Sequence, residues 1–345
     1  MGLDELLHPF DRLLSAVVTP AVVRAVDAGD SPQGLWSELV ASGYLDLLVP
    51  ESAGGAGVSL ADAYPLLALL GRYVVPLPVG ETMIARALLA EACLPAPGGP
   101  LLLLAPRQTD SGWWQAGLPM GSLARHALVD DGERLRLVEL DSVSLESAGL
   151  HASQSANVRW NTIPTASAEL ARPASGLGAA AALLRAVSIS GAAGRILDFS
   201  LDYARERVQF GKPIGRQQAI QQQLALLAEQ VLMARFAASM GCRAGIDQGV
   251  LAIAVAKQVT SAAVPAIAAI AHAVHGALGI TAEFDLQLYT RRLHEWRVAN
   301  GSETYWARMV GEARLASDVA TSTDFVRRRI TVPVGSLPPG EMEVP

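Results

Sequence analysis

At 345 residues the chain is long enough for two or three domains with buried cores. Half of it is hydrophobic but only 5% is aromatic, so alanine and leucine carry most of the apolar content, which favours closely packed helices over sheet. A net charge of −6 gives no footprint for nucleic acid, and two isolated cysteines, Cys93 and Cys242, fit neither a disulfide framework nor a zinc site and are expected to be buried, inert thiols.

The N-terminus has no basic segment followed by an apolar core, and Leu6 stands where a myristoylation signal needs Ser or Thr. A soluble cytoplasmic protein is expected. Residues 1–95 read as a helical domain. Leu35 to Ser42 begins one helical pattern, Pro50 to Gly57 is a glycine-rich loop, and Ser59 opens a helix running towards Arg72. A linker at Pro95 to Pro100 then leads into residues 96–170, a reduced β domain. Its strand candidates are Leu101–Ala105, Ala127–Val129, Leu135–Val138 and Asn157–Trp160. Residues 171–331 form the C-terminal domain, a bundle of long helices from Leu177 to about Leu315 whose alanine-rich faces allow close approach. Within it Val250 to Ile280 is the most apolar stretch. Lys257, Gln258, Pro265 and His272 interrupt that stretch, so it reads as a buried helix and no membrane partner is expected. Residues 332–345 are a Pro- and Gly-rich tail.

The segment Arg205 to Ala225 carries most information. Leu197, Leu201 and Ala204 form one helical stripe before it, and Ile220, Leu224, Leu227 and Val231 form another after it. Between them Phe210-Gly211-Lys212-Pro213 breaks the helix. Arginine binds phosphate bidentately, carboxamides hydrogen-bond flat heterocycles, and phenylalanine stacks, so this turn suits a planar, phosphorylated ligand.

The turn resembles the flavin-binding turn of the acyl-CoA dehydrogenase family, R-x-Q/T-F-G-x-P-I-x-x-x-Q. Here it reads Arg207-Val208-Gln209-Phe210-Gly211-Lys212-Pro213-Ile214, followed by Gln217 and Gln218. The loop Val49-Pro50-Glu51 to Gly57 is similar to the V-P-E-x-x-G-G-x-G loop of the family's N-terminal domain. The resemblance covers about residues 30–95 and 177–315. It implies a mainly α fold with a small β domain: an N-terminal helical domain, a shortened middle β domain and a C-terminal four-helix bundle. It implies FAD as cofactor, held by Arg207, Gln209, Phe210, Gly211 and Gln218. A second family segment, Q-x-H-G-G-x-G-F/Y, matches Ala273-Val274-His275-Gly276-Ala277-Leu278-Gly279-Ile280, which adds His275, Gly276 and Gly279. His275 stays open between ligand contact and an interhelical hydrogen bond. Asp285 and Arg291-Arg292 are expected as a polar rim near that segment.

The family's reaction removes an α proton from a thioester with a carboxylate base while hydride leaves the β carbon for the flavin. The usual base lies in Y-E-G-T, and the resemblance places Asn300 there, before Gly301. An amide is no base. A second base location, beside an arginine that matches Arg185 as a substrate residue, falls on Leu184. Glu303 remains as a displaced candidate, although Asn300 and Glu303 also have the spacing of a capping box. The middle domain shows no T-E-P…G-S-D segment. The chain therefore resembles the shorter, base-lacking subunit of α2β2 acyl-CoA dehydrogenases of the steroid-CoA type. That implies a larger homologous partner, an acyl-CoA substrate and an electron-transferring flavoprotein. Two alternatives stay open: a self-sufficient homotetramer using Glu303, and a structural homologue that binds neither flavin nor CoA.

Overall fold

A computed structural model describes residues 3–141, 144–149 and 153–330; the expected tail from 332 lies outside the described residues. Five helices open the chain: α1 (Leu3–Val17), α2 (Pro20–Asp27), α3 (Gln33–Ala41), α4 (Leu60–Arg72) and α5 (Val79–Glu91). Their starts follow local chemistry. Thr19 Oγ1 accepts the Val22 N–H at 3.3 Å with Pro20 at the first helical position, and Ser59 Oγ accepts the Asp62 N–H at 3.1 Å.

Eight strands follow: β1 (Leu101–Leu104), β2 (Arg107–Thr109), β3 (Gly112–Leu118), β4 (His126–Asp130), β5 (Leu135–Glu139), β6 (Ser144–Ser147), β7 (Ala156–Trp160) and β8 (Ala168–Leu170). They make two four-stranded sheets, ordered β1-β4-β5-β8 and β2-β3-β7-β6. Among the described residues only the β1–β4 pair is parallel, with Leu101 opposite His126. The four leucines of β1 are all buried because both faces are covered. Leu101 and Leu103 join the helical core, while Leu102 and Leu104 pack with Val129, Val138 and Val158 between the sheets.

The C-terminal part contains α6 (Gly176–Glu206), the two-stranded hairpin β9 (Val208–Gln209) and β10 (Lys212–Pro213), then α7 (Gln218–Gln248), α8 (Val250–His275), α9 (Leu286–Val298), α10 (Glu303–Leu315) and α11 (Ser322–Phe325). Helices α6, α7 and α8 pack side by side, and α9 and α10 close over α6 and α8. Small residues bring them close. A Cβ added to Gly191 of α6 would lie 1.9 Å from the Ala68 carbonyl of α4, so these two helices meet backbone to backbone. The result is the expected fold class, mainly α with a small β region between two helical parts. Helices α6, α7 and α8 are each long and apolar enough to cross a membrane, yet most of α6 is enclosed by the others. The cysteines divide. Cys242 is buried, its thiol pushed up to about 12 by burial, whereas Cys93, expected to be buried, is exposed after the end of α5.

Candidate functional site

The turn after α6 is fixed by its backbone. The Arg207 N–H caps α6 on the Tyr203 carbonyl at 2.9 Å, and the Ile214 N–H returns to the Arg207 carbonyl at 2.8 Å. Phe210 and Gly211, between the hairpin strands, both have positive φ, 52° and 75°, as a two-residue hairpin of the primed type requires. Ile214 is buried and anchors the turn. The turn's expected ligand residues are open to solvent: Phe210 is 92% exposed, and Arg207, Gln209 and Gln218 are exposed. Among the described residues, the side chains of Arg207, Gln209 and Gln218 make no hydrogen bond.

The second family segment lies beside this turn. His275, at the end of α8, is buried and stacks on Tyr203, one helical turn before Arg207, with ring centroids 4.6 Å apart. Its Nδ1 is 2.8 Å from the Ala271 carbonyl, and burial pushes its pKa below the usual imidazole range. Gly276 is exposed with φ 60°, and Gly279 is buried against His275 and Leu286. The structure thus brings the turn and the Gly276 corner together, with the His275 ring stacked against α6 and its Nδ1 bonded within α8. The expected polar rim divides. Asp285 bonds Arg24 at 2.6 Å, while Arg292 is buried, paired with Asp27 and Glu295, and acts as an interior tie.

On another face, a cavity of about 570 Å³ opens between the β region and the C-terminal helices. Arg107, Trp114, Arg172, Asn300, Tyr305 and Met309 line it, and so do the first turns of α6, α8 and α10. Helix N-termini carry partial positive charge, so the cavity favours an anionic group. Part of that charge is already met. Asp130 accepts the Leu177 N–H at 2.9 Å and Arg172 Nε at 2.7 Å.

Asn300 enters the cavity from the loop between α9 and α10. It adopts φ 55°, followed by Gly301 at 97°. A side chain on Gly301 would be strained in φ and would also meet Trp306 Nε1 at 2.7 Å. Trp306 Nε1 donates to the Asn300 carbonyl at 3.0 Å. The capping box expected of Asn300 and Glu303 does not form: Ser302 is the N-cap of α10, so Asn300 stands two residues outside it. Glu303 is absent from the cavity wall. Its carboxylate receives Arg297 Nε at 3.0 and 3.1 Å, and that guanidinium holds its pKa below the usual carboxylate range.

With this geometry in place, similarity to known proteins decides the family. The profile of the acyl-CoA dehydrogenase C-terminal domain matches residues 175–315. The acyl-CoA dehydrogenase IpdE2 of Mycobacterium tuberculosis is 34% identical over 293 residues, covering 80% of this chain and 85% of that protein. The chain belongs to the acyl-CoA dehydrogenase family. Its fold matches that in the crystal structure of the ChsE4-ChsE5 complex from Mycobacterium tuberculosis with a TM-score of 0.80 at 22% identity, over 92% of this chain and 98% of that one. It also matches a Tcur3481-Tcur3483 steroid ACAD variant with a TM-score of 0.79 at 25% identity, over 91% and 99% of the two chains. The cofactor of this family is FAD, and the residues of the exposed turn suit one edge of it: a guanidinium, carboxamides and an aromatic face with free approach.

The second base location of the acyl-CoA dehydrogenases is closed in this chain. Leu184 and Arg185 lie deep in α6, 5% and 2% exposed, and Arg185 forms an ion pair with the equally buried Glu81 of α5. Burial pushes the Arg185 pKa down to about 10. A space of about 20 Å³ beside them, bounded by Leu70, Leu77, Met120 and Trp296, has room for about one water. An acyl chain has no place there. Sequence reasoning missed Glu81, whose signal was a lone acid opening an apolar helix. It also passed over Lys257, one of only two lysines in the chain, which is completely buried beneath the Asn300 loop.

Proposed function

We propose that this chain is the base-lacking subunit of a heteromeric, FAD-dependent acyl-CoA dehydrogenase. It contributes the Arg207 turn to a flavin site completed by a larger homologue, and that partner supplies the carboxylate base. FAD, when bound, accepts the hydride from the substrate β carbon. This chain's part is to bind and orient it. Arg207 is placed to meet a phosphate, Gln209 and Gln218 offer amide hydrogen bonds, and Phe210 offers a stacking face.

The observation that carries this reading is the opposite condition of the two half-sites. The flavin turn is complete in residue type, and Arg207, Gln209, Phe210 and Gln218 are open to solvent. Both base locations hold residues that cannot accept a proton, Asn300 and Leu184, and the second is packed shut. An exposed apolar stripe on α7 adds support: Leu226 is 52% exposed, Leu232 66% and Phe236 67%, a face that favours cover by another chain. The likeness to the Tcur3481-Tcur3483 steroid ACAD supports a steroid CoA thioester as substrate, and the family resemblance supports an electron-transferring flavoprotein as acceptor. The self-sufficient alternative needs Glu303 as base, and Glu303 is committed to Arg297.

The test is purification of this chain alone and with the larger homologue. Alone, it should be colourless and inactive. The complex should carry flavin and reduce an artificial acceptor with acyl-CoA. A yellow, stoichiometrically flavinylated single chain that turns over acyl-CoA overturns the proposal. A flavin-free complex would favour the purely structural reading.

A further inference from the structure

Lys257 sits in the N-terminal third of α8 with no solvent exposure, in the stretch whose apolar character it interrupts. Its Nζ donates to the Trp296 carbonyl at 3.0 Å, the Arg297 carbonyl at 2.8 Å and Ser261 Oγ at 2.8 Å. The two carbonyls belong to the last turn of α9, where backbone acceptors lack helical partners and carry partial negative charge. The chain then passes through Ala299 into the left-handed pair Asn300 and Gly301. Lys257 thus grips the loop from below, while Trp306 holds it through the Asn300 carbonyl and the Arg297–Glu303 pair spans it.

We propose that Lys257 is a positioning residue for the 299–302 loop, setting the pose in which Asn300 meets the cavity, and that it serves this role with or without its third proton. A neutral amine keeps two N–H groups and gains a lone pair. The two carbonyls take the two N–H groups. Ser261, which also lies 3.3 Å from the Arg297 carbonyl, turns its hydroxyl to donate to the lone pair. No bond is lost. The charged groups facing Nζ are Arg185 from α6 and Arg297 from α9, which oppose its charge, and Glu303 from α10, which favours it. Burial is the largest influence and brings the ammonium down to about 7, so both forms are present near neutrality.

Hydrogen exchange of the whole chain, followed by mass spectrometry over residues 296–306, tests the proposal. Lys257→Ala should raise exchange there at least tenfold while α1 to α4 keep wild-type rates. Propylammonium, which fits the vacated stem and carries the same donors, should restore protection where sodium at equal ionic strength does not. Wild-type protection in the alanine variant overturns the assignment, as does an equal rise in every segment or failure of the amine to rescue. If the variant does not fold, wild-type protein between pH 6 and 8.5 decides. Corrected for intrinsic chemistry, exchange in this segment should stay within threefold, and a tenfold rise with pH overturns the proton-independent role.

Discussion

The Arg207 turn and the Arg185 interior are two copies of opposite solutions on one helix. At the end of α6 the chain displays an aromatic in a left-handed conformation, fully in water, which gives the isolated fold nothing. In the middle of α6 it buries an arginine against a glutamate and leaves about 20 Å³. A relative that carries its base at the second location needs the reverse there, an open acyl channel beside a free carboxylate. The contrast sets an open, chemically equipped turn after one end of α6 against a closed, charge-paired interior along the same helix.

The largest expected effect lies in that interior. Glu81→Ala leaves the Arg185 guanidinium buried without its partner, and breaking a buried pair typically costs about 3–5 kcal/mol. Urea unfolding should show a loss of that order. Replacing both residues with leucine removes the charges together and should be close to neutral. A Glu81→Ala loss under about 1 kcal/mol would mean that this pair does not hold the interior shut.

At the turn the expected effect falls on binding alone. A hydrogen bond to a charged group contributes about 1.5–3 kcal/mol, so Arg207→Ala should weaken flavin retention in the complex roughly tenfold to hundredfold. Because the side chain is exposed and makes no hydrogen bond among the described residues, the melting temperature should stay unchanged. Flavin titration and a thermal melt of the same variant separate the two. A drop in melting temperature with flavin affinity intact would remove Arg207 from the site.

What was legible in the sequence follows the same division. The turn was readable because its chemistry is local: consecutive residues define the hairpin, and helical stripes flank it. The start of α4 at Ser59 and the strands β1, β4, β5 and β7 were readable for the same reason, a cap or a short apolar run bounded by polar turns. Strands β2 and β3 escaped because Arg107 to Thr109 are exposed and Trp113-Trp114 interrupts alternation. Asn300 was located by resemblance, but its role as a cap was misread, since Ser302 is better placed to end the loop. Glu81 and Lys257 were hidden for a different reason. Each is one charged residue in an apolar run, and its partners, Arg185 for one and the α9 carbonyls for the other, lie far away in sequence.

Lys257 gives a smaller effect with a definite sign. Its folded pKa lies near 7 and its ordinary value is 10.5, so between these limits the unfolded chain holds more protons than the folded one. Stability from this group therefore rises with pH across that window, by at most about 1.4 kcal/mol per unit. The difference in urea midpoint between wild type and Lys257→Met should widen from pH 7 to pH 9 in favour of the wild type. A constant difference would show that the lysine keeps its proton throughout.

The smallest effect returns to the exposed turn. A non-glycine residue in the left-handed region bears a penalty on the order of 1–2 kcal/mol, and Phe210 holds φ 52° with its ring in water. Phe210→Gly relieves that strain but loosens the unfolded chain, so the isolated protein should gain at most about 1 kcal/mol. The same change removes the stacking face, and flavin retention in the complex should fall. Phe210→Asn, which tolerates the left-handed region while lacking the ring, should match glycine in lowering retention. Opposite signs for stability and binding at one residue are what an exposed half-site demands; a stability loss with flavin binding unchanged would make Phe210 a structural residue of the hairpin.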